Sequence, residues 1–278
     1  MSLARLVVVV LLLLAPAWAW NEEGHRTVAL VAERRLSPEA RRWVASILSH
    51  HPHGVRDLAG ASSWPDEVRH NHREFHRGSW HYINLPLFLD GPERPVKVKG
   101  KILWAMNEST RTLKKGDASA QEKAVALAWL VHLVGDIHQP LHTVNGYSAQ
   151  LPDGDRGGGL LEVRLGQALT NLHVFWDSAG GLFWRGANHH RLDFIVDGLL
   201  QAYPHGQAAA VRSPREWAAE SHQLAGEVAY VGVTSNAQLS QDYIARAREI
   251  SQQRMALAGY RLAAYIERLR LASATGAP

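Results

Sequence analysis

Cysteine is absent from all 278 residues. That excludes a disulfide framework, so the fold must be held by its core, by bound metal or by both. Long hydrophobic runs are also scarce. The one at Leu6 to Ala15 falls short of the ~20 residues a membrane-crossing helix needs. No Ser/Gly linker, internal repeat or low-complexity block divides the chain, and strand signals are few. A strand–Gly–Lys–helix phosphate loop is missing: Gly157-Gly158-Gly159 lacks that context and points to close backbone approach or a flexible rim. Charge of one sign does not dominate either. A formal net charge of +4 fits an anionic substrate and equally serves solubility.

What is present begins with an address. Arg5, the apolar run after it and Ala17-Trp18-Ala19 read as a secretory signal peptide over residues 1–19. The protein is then expected outside the cytoplasm, secreted or periplasmic. Residues 20–278 suit one domain, and the patterning makes it mainly α. Helices are expected after His25, from Ser37 and Pro38 to about Ser49, and over 101–115, 120–138, 189–203, 214–230 and 240–271. Ser37 is the N-cap and Pro38 the first helical residue of the second. Trp80 to Asn84 reads as a short extended run ending at Pro86. Residues 87–99 read as a loop and 160–165 as a short strand.

Histidine is abundant, with sixteen in the chain. The stretch His132-Leu-Val-Gly-Asp136-Ile-His138-Gln-Pro140-Leu-His142 ends a strongly apolar helix. His132 and Asp136, four apart, share one face. Pro140 breaks the helix, and His142 can turn back toward the same point. Two readings fit: a satisfied buried His–Asp pair beside an unrelated histidine, or three ligands of a type that zinc takes. Asn171-Leu-His173-Val-Phe-Trp176-Asp177 repeats the spacing in an apolar setting and tilts the balance toward metal.

Weaker candidates surround these. Signal removal would free the Trp20 amine, which with its own carbonyl can chelate a metal; His25 is near enough to join, or is a surface histidine at a helix start. Asp66 is a metal carboxylate or, like Ser63, the cap of a short helix. Arg69, one turn on, suits a phosphate because guanidinium forks two hydrogen bonds. His81 is a ligand or a packed ring. Tyr82 and Asn84 offer a ring to stack on a nucleobase and an amide to read its edge. His50, His51, His53, His70, His72 and His76 read as solvated.

Taken together, Trp20-Asn-x-x-Gly-His25, Ser63-Trp-Pro-Asp66, His132-x-x-Gly-Asp136-x-x-Gln-Pro-x-His142 and Asn171-Leu-His173-x-x-Trp-Asp177 resemble the secreted zinc nucleases of the S-one/P-one family. More distantly the chain is similar to the trizinc phospholipases C, whose activity is the alternative. The resemblance covers the whole chain after residue 19. It implies a multi-helix phospholipase C/zinc nuclease-like fold with a short β-hairpin, and three zinc ions. Asp66, His81, His132 and Asp136 would hold one zinc, and His142, His173 and Asp177 a second. The Trp20 amine and carbonyl, His25 and Asp136 would hold the third. Cleavage of single-stranded DNA and RNA to 5′-phosphate ends is implied, with 3′-nucleotides also as substrates, by a monomer. Asp66 and Arg69 would be catalytic and Tyr82 and Asn84 would clamp the base. Fungal members carry disulfides that this chain lacks.

Overall fold

The computed structural model describes residues 20–184, 189–204 and 213–275. The expected signal peptide at 1–19 lies outside the described residues.

The chain is mainly helical. Among the described residues the α-helices are α1 (Glu22–Arg35), α2 (Pro38–Leu48), α3 (Leu58–Asn71), α4 (Ile102–Lys114) and α5 (Ala120–His138). They continue with α6 (Leu172–Asp177), α7 (His189–Ala202), α8 (Pro214–Leu224) and α9 (Gln241–Thr275). Short strands fill the gaps: β1 (Leu85–Phe88), β2 (Val144–Tyr147), β3 (Glu162–Leu165), β4 (Ala168–Asn171) and β5 (Ala237–Gln238).

α5 is the axis. A capping box starts it: the Ser119 side chain accepts from the Glu122 N–H while Glu122 reaches back to the Ser119 N–H. Every residue from Ala126 to Tyr147 is buried. A helix that is apolar all round belongs in the middle of a fold. α2, α3, α4, α8 and α9 pack around it, and α1 bridges α3 and α9. Leu127, Leu130 and Leu133 are fully buried, each stabilising the fold by about 2 kcal/mol. The other boundaries follow local punctuation. Asn21 caps α1 by accepting from the Gly24 N–H; Ser37 caps α2, with Pro38 in its first turn.

β1 runs parallel to β2, with Leu85 opposite Val144. β3 and β4 form the expected antiparallel hairpin, and β5 joins β3 in parallel. Two apolar clusters result. One lies among α1 to α5, α7, α8 and α9; the other gathers Leu141, Val144, Leu172, Phe175 and Trp176 with the start of α9. His25 and His132 lie beside the first, His142 and His173 beside the second.

Several local expectations give way. Neither Ser63 nor Asp66 caps a helix: Asp57 does, through the Gly60 N–H, and α3 runs straight through Pro65. Trp80 closes a 3-10 turn that starts at Gly78; the extended stretch begins at Leu85 and includes Pro86. Leu87 and Phe88 are therefore strand, not loop. His51 is buried rather than solvated, packed edge-on against Trp64, whose indole N–H donates to His53 Nδ1. His53 in turn stacks on His72 at 3.6 Å.

Candidate metal centre

Four elements converge on α5's last two turns. His132 and Asp136 meet one turn apart, Nε2 to Oδ2 at 3.2 Å. His81, after the 3-10 turn, brings Nδ1 to 3.1 Å from the same oxygen and 2.9 Å from His132 Nε2. α1 supplies His25, whose Nε2 is 3.3 Å from the other Asp136 oxygen. Gly135 makes that approach possible: a Cβ there would lie 2.7 Å from His25 Nδ1. Asp66 on α3 holds one oxygen 3.8 Å from both His81 and His132. On the far side, His142 and His173 face each other with Nε2 atoms 3.2 Å apart. Asp177 is 3.9 Å from the first of these and 3.5 Å from the second.

Backbone carbonyls fix three of the rings. His132 Nδ1 donates to Ser62, His142 Nδ1 to His81 and His173 Nδ1 to Gly157, each at 2.7 Å. A carbonyl can only accept, so each ring carries a proton on Nδ1 and turns Nε2 inward. The sequence arranges these acceptors locally. Ser62's carbonyl comes from within α3, one turn before Asp66, so one helix supplies both the anchor for His132 and a candidate ligand. Gly157 has φ +64, and a Cβ there would collide with the Leu141 carbonyl at 2.3 Å. Close backbone approach, not a flexible rim, is thus the use made of that glycine.

The electrostatics are those of a site that wants a cation. Burial, then the nearby His132 charge, lowers His25 to about 4, leaving it neutral. Burial pushes His132 the same way, but Asp136 and Asp66 outweigh it and raise it to about 9. Burial likewise opposes the Asp136 charge, yet His132 and its other histidine partners hold its carboxyl well below the usual range. Burial raises Asp177, although Gln139 donates to one of its oxygens. Both ring nitrogens of His25, Asp136 Oδ1 and Asp177 Oδ2 are buried with no hydrogen-bond partner. Ring nitrogens and carboxylate oxygens buried without partners are expensive. A divalent cation of the kind nitrogen and oxygen ligands hold satisfies them, so the residues fit zinc. Among the described residues four groups have ligand atoms within 4.8 Å of one another; three are at this centre (His25, His132 and Asp136; Asp66, His81 and His132; His142, His173 and Asp177) and the fourth, His53, His72 and Glu74, is not part of it.

The chain's beginning reaches the same place. Trp20 is fully buried and its indole donates to the Gly135 carbonyl at 3.1 Å. The Asn21 N–H donates to the Asp177 carbonyl at 2.9 Å. Above the centre opens a cleft of about 710 Å³. Asp66, Arg69, His81, Tyr82, Asn84, His142 and His173 all line it. All the candidate residues of the sequence reading therefore lie at this centre or on its cleft.

The S1/P1 Nuclease family model matches residues 20–270. The chain belongs to the S1/P1 nuclease family. Endonuclease 4 of Arabidopsis thaliana is 29% identical, covering 95% of this chain and 93% of the relative. Endonuclease 2 of the same plant is 31% identical, over 90% of each. Nuclease S1 of Aspergillus oryzae is 25% identical over 90% and 91%. Membership makes the chain a hydrolase of phosphodiester bonds and does not favour a phospholipase. Among the described residues no helix is long and apolar enough to cross a membrane.

This S1/P1 nuclease also lines its cleft with residues the sequence did not single out: His76, Lys99, Asn145 and Arg156. His76, expected to be solvated, is half-buried there. A period-two alternation at Lys97-Val-Lys99-Gly-Lys101 was the available signal for Lys99. Asn145 gave none, because its partner, the Arg156 N–H, is eleven residues away across a loop. The 81–84 stretch is held from both sides: the Ile83 N–H donates to His142, and the Asn84 N–H to Lys99. Gly100 is obligatory beside it, since a Cβ there would lie 2.2 Å from the Tyr82 carbonyl.

Proposed function

We propose that this nuclease is a secreted or periplasmic three-zinc endonuclease of single-stranded DNA and RNA, acting as a one-domain monomer and also dephosphorylating 3′-nucleotides. The reading rests on one observation: three His/Asp groups meet at Asp136 and Asp177, beneath a cleft that carries both a cation and an aromatic ring. One zinc would be held by Asp66, His81, His132 and Asp136, and a second by His142, His173 and Asp177. The third would take the Trp20 amine and carbonyl, His25 and Asp136, once the leader is removed. Zinc supplies a coordinated water whose pKa falls from 15.7 to roughly 7, and takes up charge on phosphate oxygens.

The chain's own groups do the rest. Asp66, only partly buried at the cleft floor, accepts a hydrogen bond from the attacking water and aims it at phosphorus. Arg69, one turn further along α3, forks onto the non-bridging oxygens. The leaving 3′ oxygen departs on the His142, His173 and Asp177 side, giving 5′-phosphate ends. Tyr82 stacks a base and Asn84 reads its edge; stacking contributes about 1–3 kcal/mol. A duplex hides its base faces, so single strands are preferred.

Elemental analysis tests the reading. Protein beginning at an authentic Trp20 should hold three zincs and cleave single-stranded DNA but not phosphatidylcholine liposomes. One extra residue ahead of Trp20 should cost one zinc and most of the activity. Equal occupancy and equal rates in the two forms would exclude the amine, and activity on lipid alone would overturn the nuclease reading.

A further inference from the structure

One wall of the metal cleft is the loop between β2 and β3. Four residues of it have positive φ: Gly154 at +90, Arg156 at +59, Gly157 at +64 and Gly158 at +81. Left-handed backbone crowds a Cβ against the following carbonyl, so glycine is the residue that adopts it without strain. Three of the four positions use glycine. The fourth carries arginine, and a side chain kept on strained backbone points to a use for that side chain.

The loop is tied down on both sides of it. Asn145, buried on β2, accepts from the Arg156 N–H at 2.8 Å. Asp155 turns its fully buried carboxylate inward, where the Gly146 N–H and the Tyr230 hydroxyl donate to it at 2.8 and 2.7 Å. The Gly157 carbonyl accepts from His173 Nδ1. Asp155 thus faces the core and Gly157 holds a ring of the metal centre. Between them Arg156 is exposed and lines the cleft. Asp153 lines the cleft too, yet among the described residues no carboxylate pairs with the Arg156 guanidinium.

A guanidinium on a fixed backbone, unpaired and facing a substrate cleft, is matched to an anion. The anions of a nucleic acid strand are its phosphates. Arg69 comes from α3, which also carries Asp66, and serves the phosphate under attack. Arg156 comes from a different wall. Its neighbour Gly157 anchors His173, so it belongs to the side on which the leaving 3′ oxygen departs. The next phosphate on that side is the one on the 5′ carbon of the leaving nucleoside.

We propose that Arg156 is a specificity-determining residue whose guanidinium binds the 5′-phosphate of the leaving nucleoside, one nucleotide upstream of the scissile bond. The inference rests on the nuclease reading and on its placement of the leaving oxygen, and adds to it a second phosphate position.

The test uses zinc-loaded enzyme and two substrates, the dinucleotide of thymidine with and without a 5′-phosphate. Arg156→Asn and Arg156→Gly both suit a left-handed backbone, so each removes the charge and keeps the turn. The wild type should cleave the 5′-phosphorylated dinucleotide with a kcat/KM about tenfold or more higher, the size of a hydrogen bond between charged groups. In both variants that ratio should fall to within about twofold of one, as loss of the charged partner requires. A merely structural role would slow both dinucleotides together and leave the ratio where it was. An unchanged ratio in either variant, or a wild type that treats the two substrates alike, overturns the second phosphate position and leaves the nuclease reading standing. A wild type that cleaves neither dinucleotide overturns both.

Discussion

Two polar clusters lie on opposite sides of α5, only a few residues apart, and they are finished differently. On one side stand His132 and Asp136, with His25, His81 and Asp66. On the other, His138 accepts from Arg261, Arg254 donates to the His138 carbonyl and to Ser221, and Glu220 binds both arginines. The second cluster closes on itself. Burial, then its two arginines, keeps His138 well below the usual range, hence neutral and able to accept. Its one buried atom without a partner, Arg261 Nε, is a donor on a guanidinium that lies over the Trp217 ring. In the first cluster the unpartnered atoms include a carboxylate oxygen, Asp136 Oδ1, which asks for positive charge. A closed network ties α5 to α8 and α9; an open one, equally buried, marks a place for a ligand.

Removing one member from each side should therefore do opposite things. Asp136→Asn should cut kcat/KM on single-stranded DNA by at least about 10³-fold, some 4 kcal/mol of transition-state stabilisation. Its zinc content should fall together with the rate, since a buried Asp136 oxygen without a hydrogen-bond partner answers to metal. A variant that keeps its zinc and its rate would erase the distinction.

Glu220→Gln should show the reverse. It leaves two buried guanidinium groups short of their acceptor and should destabilise the fold by about 2 kcal/mol. For a chain this size that lowers Tm by roughly 4–8 °C. Zinc content and kcat should be unchanged at 25 °C; a loss of either would mean that the two clusters are one.

The smallest effect is in pH. Burial raises Glu220, but Arg261 and Arg254 prevail and bring it below its ordinary 4.5. A carboxyl lowered on folding stabilises above its unfolded value and loses that contribution as pH falls through the folded one. The stability gap between wild type and Glu220→Gln should be full at pH 6 and shrink below about pH 4.5 in urea titrations. A gap that widens on acidification would show that the arginines do not depend on Glu220.

Much of this was legible in the residues because the signals were local. Ser37-Pro38, the apolar run before His132 and the break at Pro140 marked α2 and α5 to within a residue or two. The two His–Asp spacings brought their ligands to the centre because each pair lies on one helical turn. What sequence could not give was pairing over distance. Ser63 and Asp66 looked like caps of a short helix, yet Asp57 starts it. β1 hid behind Pro86, because its partner β2 lies 59 residues along, Leu85 opposite Val144. His51 seemed solvated in a polar loop until Trp64 covered it.

The burial of Trp20 has a practical edge. Its indole is locked to Gly135, and the next N–H to the middle of the chain at Asp177. An affinity handle or fusion partner placed just ahead of this tryptophan would have to leave through the most crowded part of the molecule. Anyone producing the enzyme should attach such handles after α9 and let a peptidase, or a clean genetic start, define the other end.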